Sequence, residues 1–166
     1  MKLARMKKRG LNLEIPGWGL LQLRQGLFDL NGTLCLDGIL PETVQERLHR
    51  LQNILEVYVI TADTHGTAAD LMRDFADLEI ARIQSGDEAW QKRALLERLG
   101  ASHTVALGNG ANDALMLRGA CLGICVMQGE GISSRALLAS DVLVRSAEEA
   151  LDLLLNPDRL LATLRS

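Results

Sequence analysis

The chain has 166 residues, of which 48% are hydrophobic and 23% charged, with a formal net charge of −3. That balance suits a globular protein long enough to bury a core without staples. It gives no reason to expect nucleic acid as a partner, and the lack of any apolar run of about 18 residues argues against a membrane span. The first residues lack the apolar stretch of a signal peptide. Cys35, Cys121 and Cys125 form an odd set without extracellular spacing, so the expected compartment is a reducing cytoplasm. Cys121 and Cys125 read as small core residues rather than metal ligands.

The chain opens on a basic run, Lys2, Arg5, Lys7, Lys8 and Arg9, which reads as a solvated terminus rather than a binding tail. Leu11, Leu13 and Ile15 then alternate with polar residues, Pro16-Gly17 offers a turn, and Leu21 and Leu23 alternate again. The pattern predicts a short antiparallel β-hairpin within an extension of residues 1–26. From residue 27 onward, short apolar runs alternate with helical patterns. Strands are expected at 27–30, 57–60, 80–83, 104–107, 122–126 and 142–144.

The first helix is expected over 41–55, with Val44, Leu48, Leu51 and Leu55 on one face and Pro41 at its first position. A second follows His65, and a third follows Asp87, placed as an N-cap. A fourth opens near Asn112, and two more lie at 147–155 and 158–164, around Asn156-Pro157. The Leu-rich end has helical spacing and reads as core or interface. Strand–helix repetition implies an α/β fold: a mostly parallel, Rossmann-like sheet flanked by helices in three α/β/α layers. No repeat or linker divides residues 1–166, so one domain is expected, with residues 27–166 as its core.

Four pieces carry chemistry. Leu27-Phe28-Asp29-Leu30-Asn31-Gly32-Thr33-Leu34 places a carboxylate at a buried strand end, where open parallel sheets bind ligands. Gly32 lets the backbone turn sharply and approach a phosphate. Val57-Tyr58-Val59-Ile60-Thr61-Ala62-Asp63 ends a second strand on a hydroxyl able to bond a phosphate oxygen, with Ala62 beside it. Lys92, early in the third helix, can neutralise phosphate charge. Val105-Ala106-Leu107-Gly108-Asn109-Gly110-Ala111-Asn112-Asp113 joins a strand to a helix and carries the hard oxygens that suit Mg2+.

In this order the pieces resemble the four motifs of the haloacid dehalogenase (HAD) superfamily. The resemblance implies Asp29 as nucleophile, and Gly32, Thr61, Ala62 and Lys92 as the phosphate-binding group. It implies Asp29, Asn31, Asn109 and Asp113 around Mg2+, with Asn112 in support. Within that superfamily the chain is similar to the soluble P-type ATPase-like proteins. The shared marks are Ile15-Pro16-Gly17, Asp29-Leu30-Asn31-Gly32-Thr33-Leu34, Thr61-Ala62-Asp63-Thr64, Gly108-Asn109-Gly110 with Asn112-Asp113, and Arg159-Leu160-Leu161-Ala162-Thr163-Leu164-Arg165. The intervals from Asp29 to Thr61 and from Thr61 to Lys92 each hold about one helix and one strand, which leaves no room for a cap domain. An uncovered site admits bulky substrates or is covered by a neighbouring subunit, so homo-oligomerisation is a hypothesis.

Two residues depart from the family pattern. Asn31 stands where most HAD phosphatases have an acid that protonates the leaving group and then activates water; an amide cannot exchange that proton near neutral pH. Slow hydrolysis, a preference for good leaving groups and a lingering phospho-Asp29 are expected. Asn109 stands in a loop that more often reads Gly-Asp-Gly, so Mg2+ affinity should fall, leaving Asp29 and Asp113 as the acidic ligands. Asn31-Gly32 and Asn109-Gly110 are also pairs prone to deamidation.

Each residue has a plainer reading: Asp29 a turn residue, Thr61 a loop cap, Lys92 a surface cation, Asp113 a helix-start acid and Asn112 its cap. Asp63 reads as structural, Asp37-Gly38 as the turn of a small flap and His65 as a solvated loop residue, while His49 and His103 lack partners that suggest metal. The expected function is Mg2+-dependent hydrolysis of a small phosphorylated substrate through Asp29. The alternative is a catalytically impaired module that binds a phosphate ligand or a protein. A generic nucleotide binder ranks low, because no Gly-x-Gly-x-x-Gly loop follows the first core strand.

Overall fold

A computed structural model describes residues 8–62 and 66–166. The predicted hairpin forms from β1 (Leu11–Ile15) and β2 (Gly19–Leu23), paired antiparallel from Leu11↔Leu23 to Ile15↔Gly19. The inward residues Leu11, Ile15, Leu21 and Leu23 are buried, which is what two-residue alternation requires of a ribbon covering one side of a core.

The remaining strands are β3 (Gln25–Asp29), β4 (Glu56–Thr61), β5 (Leu78–Arg82), β6 (Thr104–Gly108), β7 (Leu122–Val126) and β8 (Val142–Val144). They form one sheet in the order β5-β4-β3-β6-β7-β8, with every neighbouring pair parallel. All six lie within two residues of the sequence expectation, because buried parallel strands are short continuous apolar runs. Successive residues serve opposite faces. Phe28, Val59, Leu107 and Ile124 enter one core; Leu27, Ile60, Ala106 and Cys125 enter the other.

On the first face lie α1 (Glu42–Leu51), α2 (Thr67–Leu71), α6 (Ala147–Leu155) and α7 (Pro157–Leu164), along with the hairpin. On the second lie α3 (Glu88–Leu99), α4 (Ala114–Gly119) and α5 (Ser134–Leu137). This is a three-layer α/β/α arrangement, and the described residues between its motifs form no cap domain. A bidentate ion pair from Arg47 to Asp152, at 2.9 and 3.0 Å, ties α1 to α6. Among the described residues no helix is long and apolar enough to cross a membrane.

Several boundaries differ from expectation. Pro41 is not the first helical residue; its extended ψ of 143° makes it the cap before Glu42, where its carbonyl accepts from Val44 and Gln45. α1 also stops at Leu51 rather than Leu55, where the Asn53 side chain donates to the carbonyl of His49 and the chain turns into β4. Asp87 occupies the N-cap position of α3 with a φ of 55° but makes no side-chain cap bond. Glu88 takes the Gly86 amide instead, and Gln91 donates to the carbonyls of Gln84 and Gly86. The fourth helix begins as a tight turn at Ala111–Asp113. α5 has only four residues, too few for a periodicity to show.

Lys8 is not a freely solvated basic residue: its ammonium pairs with Asp77 at 2.7 Å. Lys2, Arg5 and Lys7 fall outside the described residues, as do Asp63, Thr64 and His65.

Candidate functional site

The chain runs from β3 outward through β4 to β5, then crosses back to β6 beside β3. The winding reverses between β3 and β6, and the crevice beyond the carboxyl ends of those strands is where an open α/β sheet binds ligands. Asp29 ends β3, Thr61 ends β4, and the Asn109 loop leaves β6. Register sets Asp29 opposite Ile60, one residue short of Thr61.

Lys92 closes the arrangement. It sits in the second turn of α3, only 3% exposed, and its ammonium lies 2.7 Å from Asp29 Oδ1 and 2.6 Å from Asp113 Oδ1. A buried lysine between two buried carboxylates is far from the plain reading of a surface cation. Asp113 is fully buried, and its other oxygen accepts the backbone amides of Asn109 and Gly110 at 3.0 and 2.9 Å. Gly108 is required for this closure, since a Cβ there would stand 2.5 Å from the Asp113 carboxyl carbon. Thr33 Oγ1 lies 3.1 Å from both Asp29 Oδ2 and Asn109 Oδ1, and its single proton serves one of them at a time.

The electrostatics follow from burial. Asp29 is pushed up to about 7, first by desolvation and then by the nearby Asp113, against the pull of Lys92 and Thr33. Burial on its own would lower the Lys92 ammonium, but the two carboxylates outweigh it, so its pKa rises. Because Asp29 titrates near 7 when folded against a reference value of 3.8, the folded chain holds a proton over that interval that the unfolded chain has lost. Stability therefore falls as pH rises from about 4 to about 7. Thermal melts in a chelator from about pH 5 to about pH 8 should show this decline, and Asp29→Asn should flatten it. Identical profiles for the two proteins would contradict the assignment.

The other expected site residues are placed less uniformly. Thr61 is buried at its strand tip, and Ala62 is exposed just beyond it. Asn31 is exposed and, with Gly38, Ala62 and Thr67, borders a cleft of ≈ 410 Å³. Gly32, at a φ of +76°, is buried, and its amide donates to the carbonyl of Cys35. Asn112 is exposed, and its side-chain oxygen lies over Gly110, where an added Cβ would stand 2.7 Å from it. The flap turn forms as expected: Leu36 and Ile39 exchange backbone hydrogen bonds around Asp37 and Gly38, both at positive φ.

Sequence reasoning missed two participants. Thr33 belongs to the Asp29 motif, yet no spacing marks its hydroxyl as a bridge. The loop after β7 also reaches the site. The Gln128 amide donates to the Thr33 carbonyl, Asn109 Nδ2 donates to the Gly131 carbonyl at 3.3 Å, and the Ser133 amide donates to the Asn109 carbonyl. The signal was available, because this loop too leaves the carboxyl end of a buried strand.

As for metal, the available donors are hard oxygens: the carboxylates of Asp29 and Asp113, the amide oxygen of Asn109 and main-chain carbonyls. Among the described residues no three His, Cys, Asp or Glu side chains lie close enough to form a metal cluster by themselves. A donor set this sparse fits Mg2+, which keeps several waters and takes substrate phosphate as a ligand, and does not fit zinc.

A six-stranded parallel sheet in this order, flanked by helices, is the fold of solved HAD hydrolases. The 3-deoxy-D-manno-octulosonate 8-phosphate phosphatase of Moraxella catarrhalis, solved with magnesium, phosphate and KDO, superposes with a TM-score of 0.65 at 20% identity, covering 86% of this chain and 94% of that one. A Legionella pneumophila protein described as a HAD superfamily (subfamily III A) hydrolase superposes with a TM-score of 0.67 at 17% identity, covering 86% and 87%. By sequence, the chain belongs to the family of the uncharacterized protein MJ0073 of Methanocaldococcus jannaschii, with 44% identity over 92 residues, 53% of this chain and 99% of that protein. No protein-family model matches the chain.

Proposed function

We propose that this protein is a Mg2+-dependent phosphohydrolase acting on a small phosphorylated substrate through an aspartyl-phosphate at Asp29. The observation that carries the reading is the Lys92 ammonium held at 2.7 and 2.6 Å between Asp29 and Asp113. That geometry puts a fixed positive charge beside the attacking carboxylate, where the charge of a transferring phosphoryl group has to be met. The structural neighbours named as phosphatases of a sugar-acid phosphate support a small phosphomonoester as the substrate class.

In this mechanism an Asp29 oxygen attacks phosphorus and the ester P–O bond breaks, transferring the phosphoryl group to the carboxylate. Lys92 and the Thr61 hydroxyl contact the phosphoryl oxygens. Water then attacks the same phosphorus, releasing inorganic phosphate and restoring Asp29. Mg2+, held by Asp29, Asp113, Asn109 and the main chain of Asn31, would supply further charge neutralisation and orient the phosphate. Asn31, at the edge of the cleft, can neither protonate the departing oxygen nor take the proton of the attacking water. Turnover is therefore slow, leaving groups that depart unprotonated are favoured, and the phosphoenzyme persists.

The test is phosphate release from a panel of phosphomonoesters with Mg2+, run beside Asp29→Ala. Wild-type protein should release phosphate, Asp29→Ala should not, and beryllofluoride with Mg2+ should raise the melting temperature of the wild type alone. The exposed Asn31 amide favours one second reading, a phosphate-binding module that has lost turnover. Equal beryllofluoride protection of both proteins with no phosphate release would select it.

A further inference from the structure

With an amide at position 109, Asp29, Asp113 and Lys92 present a combined formal charge of −1 to a divalent cation. The loop after β7 brings a further carboxylate to this place. Glu130 lies in the turn from Gln128 to Gly131, whose backbone is closed by the Gly131 amide on the Gln128 carbonyl at 2.8 Å. Both shoulders of that turn are fastened to the site. Gln128 donates to the carbonyl of Thr33, the residue that contacts Asp29, and Gly131 accepts from the side chain of Asn109 itself. Gly129 packs on the flap, where an added Cβ would stand 3.1 Å from the Leu36 side chain.

The result is a carboxylate set against Gly32, a residue of the Asp29 loop without a side chain. A Cβ built on Gly32 would fall 2.5 Å from Glu130 Oε2 and 2.9 Å from Asn109 Nδ2. Glu130 is solvent-exposed, so it holds its charge without the desolvation cost that a third buried acid beside Asp29 would incur. It does not join Asp29 and Asp113 in a cluster at ligating distance. Its reach is therefore that of a group beyond the coordination sphere, and Mg2+, which retains water, is sensitive to carboxylates at that range.

We infer that Glu130 is a positioning residue for the cation, supplying from the β7 loop the negative charge that Asn109 no longer provides. The inference rests on the proposed Mg2+ site and extends it. With Glu130 the formal charge facing the cation becomes −2, which matches it. The two sides of the exchange are physically linked, since the amide at 109 donates to the Gly131 carbonyl next to Glu130, a bond that a carboxylate at 109 could not make.

The experiment measures Mg2+ affinity by calorimetry, and by displacement of Tb3+ luminescence, on the metal-free protein and four variants. Glu130→Gln should weaken Mg2+ binding about 10-fold while leaving the melting temperature of the metal-free protein unchanged. Asn109→Asp in the Glu130→Gln background should recover the loss. Glu46→Gln, the same charge change on the exposed side of α1, should bind as wild type does, and Asn109→Asp alone should bind more tightly than wild type. The inference is overturned if Glu130→Gln binds Mg2+ like wild type, if Glu46→Gln weakens binding equally, or if Asn109→Asp fails to restore the double variant. A wild-type protein that binds no Mg2+ would remove the phosphohydrolase reading and this inference together. Wild-type binding that is indifferent to Glu130 removes only the latter.

Discussion

Lys92→Met destabilises the protein by about 3–5 kcal/mol, the cost of leaving buried carboxylates without their cation. Methionine keeps most of the volume, so the change reports charge rather than a cavity. Asp29 is 8% exposed and Asp113 fully buried, and both lie within 2.7 Å of the Lys92 ammonium. Without it, the side chain of Asp29 is left with Thr33, while Asp113 keeps two backbone amides. For a chain of this length the loss corresponds to a fall in melting temperature of about 6–20 °C. Because Lys92 lowers the Asp29 pKa, its removal leaves Asp29 protonated at neutral pH, and the loss should grow as pH rises and that carboxyl is forced to ionise. Thermal denaturation at neutral and alkaline pH measures both effects. A fall of less than about 1 kcal/mol, the range of a surface pair, would mean that Lys92 does not hold the two acids together.

Asn31→Asp raises turnover of an aryl phosphate by about 10²–10⁴-fold, the usual worth of a positioned acid–base group. Asn31 is exposed at the border of the cleft, so a carboxyl group there can exchange protons with solvent without being buried. Trapped phosphoenzyme should decay faster in the variant by a similar factor, because the same residue serves the second step. Steady-state phosphate release and the decay of acid-quenched phosphoenzyme read the two steps separately. No gain in either would place the deficiency elsewhere, with Asn109 the next position to restore.

The chain's pattern of apolar runs was enough to establish six parallel strands, the hairpin ahead of them and the buried face of α1, where Val44, Leu48 and Leu51 lie. Burial on both sides leaves a signature that does not depend on neighbours: Val57, Val59 and Ile60, or Ile124, Cys125 and Val126, are apolar because every direction around them is protein. It also established that Asp29, Thr61 and the Asn109 loop lie at strand ends, because each follows an apolar run directly, and a parallel sheet gathers such ends on one edge. The expected limits 147–155 match α6, where the Ser146 hydroxyl caps the helix by accepting from the Glu149 amide. The start of α3 after Asp87 was legible too, although that cap makes no side-chain bond, whereas Pro41 is the cap before α1 and not its first residue.

Tertiary structure decided what no spacing encodes. Whether Lys92 was a surface cation or a buried bridge depended on which face of α3 meets the sheet, and α3 carries too weak an amphipathic pattern to say. The roles of Thr33, Gln128 and Glu130 depended on two loops, far apart in sequence, being brought together by the pairing of β3 with β6 and β6 with β7. Strand tips are written locally, in runs of five or six residues. The contacts between the loops that leave them arise only when long-range pairing sets the order of the strands.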